Sequence, residues 1–208
     1  MTTQSVPQTV SGAKSDYIVA KFGGTSVANF EAMSRCSEII VADKSVRIVA
    51  VSASAGVTNH LVALCKPDLS KEQRQAHIDG VLAIQQAILD ELSLDADLAV
   101  GFNETLKAFQ TLALETLTTD QQHDELLSFG ERLSSYLFAQ VLRLKGLNAD
   151  RFDVRKVLKT DSQFGKATPD VAATAQAAKD LLIPLLDEQV IVTQGFIGSD
   201  EFGQTTTL

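Results

Sequence analysis

Apolar positions along this chain alternate between short β-rich runs and longer stretches of helical spacing. Tyr17–Phe22, Val46–Ser52 and Val190–Thr193 are short apolar runs without clean polar alternation, which is typical of strands buried on both faces of a mainly parallel sheet. Between the first two runs, Val27–Ala42 carries apolar residues at near-helical spacing. The first fifty residues therefore predict a βαβ unit.

The middle of the chain is predicted to be helical. After a loop of small residues at Ser52–Asn59, the pattern and its capping residues predict four helices: one to about Cys65, one from Ser70 to about Leu92, one over about Asp97–Leu117 and one over about Gln121–Lys145, with Gly146 as the stop. Ala149–Val154 is then a predicted strand and Asp170–Leu186 a predicted helix that ends near Pro184. Strands that alternate with helices predict an α/β fold.

Composition narrows the class of protein. The 208 residues are 45% hydrophobic, with 18 basic and 26 acidic side chains and a formal charge of −8, as in a soluble globular protein. No basic stripe with interleaved aromatic residues is present, so no nucleic-acid partner is expected. No apolar run is long enough for a membrane span and no signal peptide is evident, which predicts a cytoplasmic protein without a membrane partner. Residues 1–15 are expected to be a flexible extension ahead of a single domain over 16–208.

Cysteines and histidines add no metal site. Cys36 and Cys65 stand singly in helix-like patterns and are expected to be reduced thiols in the core. The three histidines, His60, His77 and His123, have no helical i, i+4 partner of the kind that binds metals. We predict that all three lie on the surface and that the protein itself supplies no metal ligands.

The first candidate site is the end of the first strand, Lys21-Phe-Gly-Gly-Thr-Ser26. A lysine there is costly to bury unless an anion meets it, and Gly23 and Gly24 expose backbone N–H groups at the start of the following helix. The segment therefore predicts an anion cradle. Its alternative is an ordinary turn whose lysine reaches solvent, and it matches neither the P-loop nor the Rossmann pattern.

A second candidate lies in the longest helix, where Gly130 precedes Glu131 among apolar residues. The glycine permits a close approach, and the carboxylate of Glu131 is suited to accept hydrogen bonds from a substrate ammonium. Alternatively, Glu131 lies on a solvated helix face. The hydroxyls and amides of the Ser52–Asn59 loop suit a small polar ligand, although a loop alone does not define a site.

Five segments together resemble the amino-acid-kinase superfamily, and within it the kinase domain of the aspartokinases, especially the lysine-sensitive bacterial class. They occur in the order expected of that family: Lys21–Ser26, Val51–Asn59, Ser128-x-Gly-Glu131, Phe152–Lys156 and Val192–Gly198. The resemblance implies a three-layer α/β/α domain with a mainly parallel central sheet. It also implies transfer of the γ-phosphoryl group of ATP to the side-chain carboxylate of L-aspartate, the first step toward lysine, threonine and methionine.

The resemblance also implies roles for individual residues. Lys21 would be catalytic, by neutralising charge on the transferring phosphoryl group. The implied nucleotide contacts are Lys21, Phe22, Gly23, Gly24 and Thr25, and the implied aspartate contacts are Ser52, Ala53, Thr58, Glu131 and Phe196. Mg²⁺ would enter with ATP, bound through its phosphates.

Departures from the family pattern set further expectations. In the family, a segment of the type Gly-Arg-Gly-Gly-Ser-Asp follows Thr-Thr-Thr-Leu, which here stands at 205–208, and ACT domains that bind lysine and mediate dimerisation come later. We therefore expect an N-terminal part of an aspartokinase that is inactive alone. Two alternatives are another amino-acid kinase, of the glutamate or acetylglutamate type, and a truncated, non-catalytic paralogue that is the partner of a complete aspartokinase.

Overall fold

A computed structural model describes residues 17–208 of the protein. The strands are β1 (Ile18–Phe22), β2 (Val46–Val51), β3 (Ala149–Arg151), β4 (Val190–Gln194), β5 (Ile197–Ser199) and β6 (Thr205–Thr207). The helices are α1 (Phe30–Ala42), α2 (Val57–Leu64), α3 (Lys71–Leu89), α4 (Ala96–Ala113), α5 (Asp120–Leu144) and α6 (Val171–Leu181). Within this range no helix combines the length and the apolar character that crossing a bilayer requires. The extension expected over 1–15 lies outside the described residues.

The central sheet has the strand order β1-β2-β4-β3, and all of its pairs are parallel. Its side chains alternate between two apolar clusters. Val49 and Val192 face α1 and α5, whereas Ile48 and Ile191 face α6 and the turn after it. The sheet therefore lies between two helical layers, which confirms the α/β/α class. All residues of β4 are buried, as expected for a strand covered on both faces.

Helix α5 packs against both the sheet and the cluster of helices α2, α3 and α4. It begins with a capping box in which Thr119 and Gln122 satisfy each other's backbone N–H groups, which stabilises a helix start. Near its start, Leu126 and Phe129 pack in a cluster with α2, α3 and α4. Farther along, Leu137 and Phe138 pack beneath the sheet. The stretch that carries Glu131 therefore lies where the helical layer meets the sheet.

Several predicted boundaries were wrong for local reasons. Helix α1 begins at Phe30 rather than Val27 because Gly24–Val27 forms a 3₁₀ turn and the Asn29 side chain then caps the helix. The helix predicted up to Leu186 stops at Leu181, since Ile183–Leu185, which contains Pro184, forms a 3₁₀ turn.

Two further boundaries and one pair of strands also differ. Strand β3 ends at Arg151, and Asp153 then caps a short 3₁₀ turn, Val154–Lys156. The helix expected to reach Leu117 ends at Ala113. The antiparallel pair β5–β6 was not predicted.

The prediction of three surface histidines was wrong, since His60, His77 and His123 are all partly buried. The Nδ1 atoms of His60 and His77 lie 3.1 Å apart between α2 and α3. Burial and the neighbouring His60 lower the pKa of His77. Cys36 and Cys65 are free thiols, as expected, and both are partly buried.

A buried carboxylate ties β6 to the start of α5. Asp124 is 1% exposed and accepts hydrogen bonds from the N–H of Gly165, at 2.9 and 3.0 Å, and from the N–H and hydroxyl of Thr207, at 2.8 and 2.7 Å. These bonds hold the 161–169 loop and the last strand against the helix.

Replacing Asp124 by Asn is expected to lower the free energy of unfolding by about 2–4 kcal/mol, because the amide of Asn would face donors and leave buried N–H groups unpaired. Urea unfolding followed by circular dichroism measures the change. The matched control is Asp79→Asn on the exposed side of α3, which is expected to shift stability by about 0.5 kcal/mol at most. Equal unfolding midpoints for Asp124→Asn and wild type would contradict the anchoring role.

Candidate active site

A cleft of about 580 Å³ opens at the carboxyl ends of β1, β2 and β4. Ligands of open α/β sheets bind at this edge. The lining comes from the β1 end, the loop after β2, helix α5, the loop after β4 and the last residue: Lys21, Gly24, Ser52, Ala53, Ser54, Ala55, Gly56, Thr58, Glu131, Gly195, Phe196 and Leu208. The chain thus brings residues that are distant in sequence to a single cleft.

Two glycines let the loop after β2 fit between its neighbours. A Cβ atom on Gly130 of α5 would lie 2.6 Å from the Ala53 Cβ, and one on Gly24 would lie 2.9 Å from the Ala53 carbonyl oxygen. The Ala55 N–H also donates to the Gly24 carbonyl at 3.2 Å. Both glycines are therefore needed for close packing, and together they fix the position of the loop.

Glu131 is a buried carboxylate at the base of the cleft. Its side chain is 7% exposed, and its Oε1 accepts a hydrogen bond of 3.1 Å from the Ala53 N–H. Burial raises its pKa to about 7, while the Ala53 N–H and the positive charge of Lys21 act in the opposite direction. A carboxylate has room for several donors, so a ligand ammonium would satisfy acceptor capacity that the protein leaves open.

Lys21 supplies the positive charge of the cleft. Its side chain is exposed, and no salt bridge to it forms within residues 17–208. An ammonium group near a buried carboxylate, beside a loop of small residues, can hold a ligand that carries both charges. The cleft therefore suits a zwitterion or an anion with an added ammonium group.

Phe196 shows local backbone strain. Its φ angle is 68°, a conformation that is uncommon for residues other than glycine and that tends to mark functional loops. Its ring is 48% exposed and lines the cleft. The Leu208 N–H donates to its carbonyl at 3.0 Å, which holds this unusual turn in place.

Most of the residues predicted from sequence meet here, and three do not. Phe22 places its ring in the core, 5.6 Å from the centroid of the Phe138 ring, so its side chain is directed away from the cleft. Gly23 and Thr25 are likewise absent from the lining.

Five residues line the cleft without having been predicted as contacts: Ser54, Ala55, Gly56, Gly195 and Leu208. Ser54–Gly56 lies between predicted residues of the same loop and Gly195 precedes Phe196, so proximity in sequence was the available signal. The contact of Leu208 depends on the β5–β6 pair, which brings the last residues back to the loop after β4.

The chain is similar to known proteins over nearly all of its length. Residues 16–207 match the amino acid kinase family. The lysine-sensitive aspartokinase 3 of Escherichia coli is 44% identical over 196 residues, which is 93% of this chain and 43% of that protein. The aspartokinase of Chlamydia trachomatis is 36% identical over 191 residues, or 92% of this chain and 42% of that protein.

A solved structure of one of these relatives has the same fold. The crystal structure of E. coli aspartokinase III in complex with aspartate and ADP superposes with a TM-score of 0.87 at 44% identity, covering 92% of this chain and 43% of that one. The chain therefore spans less than half of the length of these relatives.

Proposed function

Because the chain belongs to the amino acid kinase family through residues 16–207, we propose that it forms the aspartate-binding part of an aspartate kinase. The proposal rests on one observation. The buried Glu131 carboxylate and the exposed Lys21 ammonium line the same cleft, beside the Ser52–Thr58 loop. The similarity to aspartokinases and to a relative that was solved with aspartate and ADP supports the choice of substrate.

Two of the three charges of aspartate, the α-ammonium and the side-chain carboxylate, have a counterpart in this arrangement. The α-ammonium group would meet Glu131, where a charge-assisted hydrogen bond in a buried place is stronger than a neutral one. The hydroxyls of Ser52 and Thr58 would hold the rest of the molecule against Ala53, and Phe196 would close one side. The side-chain carboxylate would then be directed toward Lys21.

The reaction is a transfer between two oxygens. An oxygen of the side-chain carboxylate attacks the γ-phosphorus of ATP, the bond from that phosphorus to the β-phosphate oxygen breaks, and ADP leaves with 4-phospho-L-aspartate as product. Lys21 would offset the charge on the transferring group, and the backbone at Gly23 and Gly24 would position it. Such catalysis depends on positioning and electrostatics, without a covalent intermediate.

Magnesium fits this scheme as a companion of ATP. Among residues 17–208, no group of three or more His, Cys, Asp or Glu side chains could hold a metal ion. Mg²⁺ usually keeps several waters and binds through substrate phosphates in kinase sites, so phosphate oxygens and water would be its principal ligands here. When bound, it would neutralise phosphate charge.

Ligand selectivity tests the proposal. L-Aspartate is expected to bind the 208-residue chain at least about 30-fold more tightly than N-acetyl-L-aspartate or succinate, because neither analogue brings an ammonium group to Glu131 and a buried charge left unpaired costs about 2 kcal/mol or more. Isothermal titration calorimetry at pH 8 measures the three affinities. Tighter binding of L-glutamate or N-acetyl-L-glutamate than of L-aspartate would instead assign the chain to a glutamate or acetylglutamate kinase.

A further inference from the structure

Helix α5 holds both ends of one peptide group in the cleft. The peptide joins Ser52 to Ala53, and its N–H donates to Glu131 Oε1 at 3.1 Å. Its carbonyl oxygen accepts a hydrogen bond of 2.7 Å from the hydroxyl of Ser134. Ser134 lies one helical turn after Glu131, on the same side of α5, and is fully buried. The helix thus fixes the plane of this peptide from two positions.

The Ser134 hydroxyl has two acceptors within reach, and only one of them lies on the cleft loop. The same hydroxyl lies 3.2 Å from the Glu131 carbonyl oxygen within its own helix, a bond that many helical serines make. A hydroxyl has one proton to donate, and the shorter distance of 2.7 Å goes to Ser52 on another element. The preferred bond is therefore the one that crosses from α5 to the cleft loop.

Fixing the peptide has a consequence for Glu131. One lone pair of the Glu131 carboxylate is occupied by the Ala53 N–H, which sets the orientation of the carboxylate. If the peptide rotated, its carbonyl oxygen would turn toward Glu131 and the two oxygens would repel each other. The Gly130 contact with Ala53 holds the loop close, but a van der Waals contact sets no direction for the N–H bond.

We propose that Ser134 is a positioning residue: its hydroxyl holds the Ser52–Ala53 peptide so that the N–H points at Glu131 and the carboxylate faces the substrate ammonium. The role in substrate binding rests on the proposed function. The effect of Ser134 on Glu131 does not, because it concerns the ligand-free chain.

The test compares Ser134→Ala with a matched serine. Ser37 of α1 is also fully buried, and its hydroxyl donates to Ser34, in its own helix, at 2.6 Å, so Ser37→Ala removes a buried hydroxyl away from the cleft. Calorimetry is expected to show that Ser134→Ala weakens L-aspartate binding by about 5- to 20-fold, the loss of a hydrogen bond that orients a charged group. Ser37→Ala is expected to leave the affinity unchanged.

A second measurement separates positioning from a general loss of structure. In the ligand-free chain, the titration of the Glu131 carboxyl carbon is followed by ¹³C NMR. Ser134→Ala is expected to raise its midpoint by about half a pH unit or more, because a weakened Ala53 N–H bond favours the charged form less. Ser37→Ala is expected to leave the midpoint in place. The double variant, Ser134→Ala with Glu131→Gln, is expected to bind L-aspartate as the Glu131→Gln variant does, with no further loss of affinity.

The outcomes are distinct. A midpoint that moves in Ser134→Ala, in a chain whose wild type shows no aspartate binding, supports the positioning of Glu131 and overturns the proposed substrate. An unmoved midpoint together with wild-type affinity overturns the role of Ser134 and leaves the proposed substrate standing. Equal losses of affinity in Ser134→Ala and Ser37→Ala would also overturn it, since the effect would then be one of general packing.

Discussion

Replacing Glu131 by Gln is expected to weaken aspartate binding strongly and, at the same time, to stabilise the ligand-free chain. The loss of affinity is expected to be at least about 30-fold, because removing a buried charged partner costs about 2–5 kcal/mol. The gain in stability follows from burial. Burial raises the pKa of Glu131 to about 7 from its ordinary value of 4.5, so ionisation is harder in the folded chain than in the unfolded one.

The sign of the pH dependence is fixed by this direction. A raised carboxyl pKa contributes stability that is present below the unfolded pKa and is lost as the pH rises through the folded pKa. Wild type therefore loses the contribution of Glu131 between about pH 4.5 and 7. Gln does not ionise, so the variant is expected to be more stable by about 1–3 kcal/mol at pH 8 and to show little advantage at pH 4.

Urea unfolding at pH 4 and pH 8 measures the stability of this variant, and calorimetry its affinity. Glu125→Gln is the matched control on the same helix. Glu125 pairs with Arg132 at 2.6 Å and lies outside the cleft, so its replacement is expected to lower stability and leave aspartate binding intact. A Glu131→Gln variant that is less stable than wild type at pH 8 would contradict the account of a strained, buried carboxylate.

Replacing Gly130 by Ala is expected to disrupt the cleft with a smaller effect on the fold. The added Cβ would lie 2.6 Å from the Ala53 Cβ, so the loop or the helix must move. Overpacking costs about 1–3 kcal/mol, and the higher helix propensity of Ala returns up to about 1 kcal/mol. Because Ala53 donates to Glu131, the displacement is expected to weaken aspartate binding by about 10-fold or more, since small misplacements are costly at such sites.

A second helical glycine gives the control for this variant. Gly101 of α4 is also crowded, with the Tyr136 hydroxyl oxygen 2.6 Å from the position of an added Cβ, but it does not line the cleft. Gly101→Ala is expected to change the unfolding midpoint in urea and to leave the affinity for aspartate at the wild-type value. If Gly130→Ala bound aspartate as wild type does, the close approach of α5 to the loop would have no role in binding.

Much of the fold could be predicted because its signals are local. The helix predicted from Ser70 begins there, where Ser70 and Gln73 form a capping box, and α5 differs from its predicted bounds by one residue at each end. Short β-branched runs identified β1, β2 and β4. The prediction that β1 is buried on both faces was wrong, because β1 is an edge strand whose Ile18 and Val19 are exposed. By contrast, β5 and β6 have three residues each, too few for a periodic pattern.

Most residues of the candidate site could be predicted from the sequence, but the hydrogen bonds between them could not. Lys21, the Ser52–Thr58 loop and Glu131 were identified because five segments in order resemble a known family. The hydrogen bonds to Ala53 and Ser52 join residues about eighty positions apart, and no local pattern encodes such a pairing. The His60–His77 contact was missed for the same reason, since it lies between two helices.

The most direct test of the central claim is a crystal structure of the chain with bound L-aspartate. We expect the α-nitrogen of the ligand within hydrogen-bonding distance of a Glu131 carboxylate oxygen and the side-chain carboxylate directed toward Lys21, beside the Ser52–Thr58 loop. Aspartate bound outside this cleft, or with its ammonium group turned away from Glu131, would contradict the proposed function.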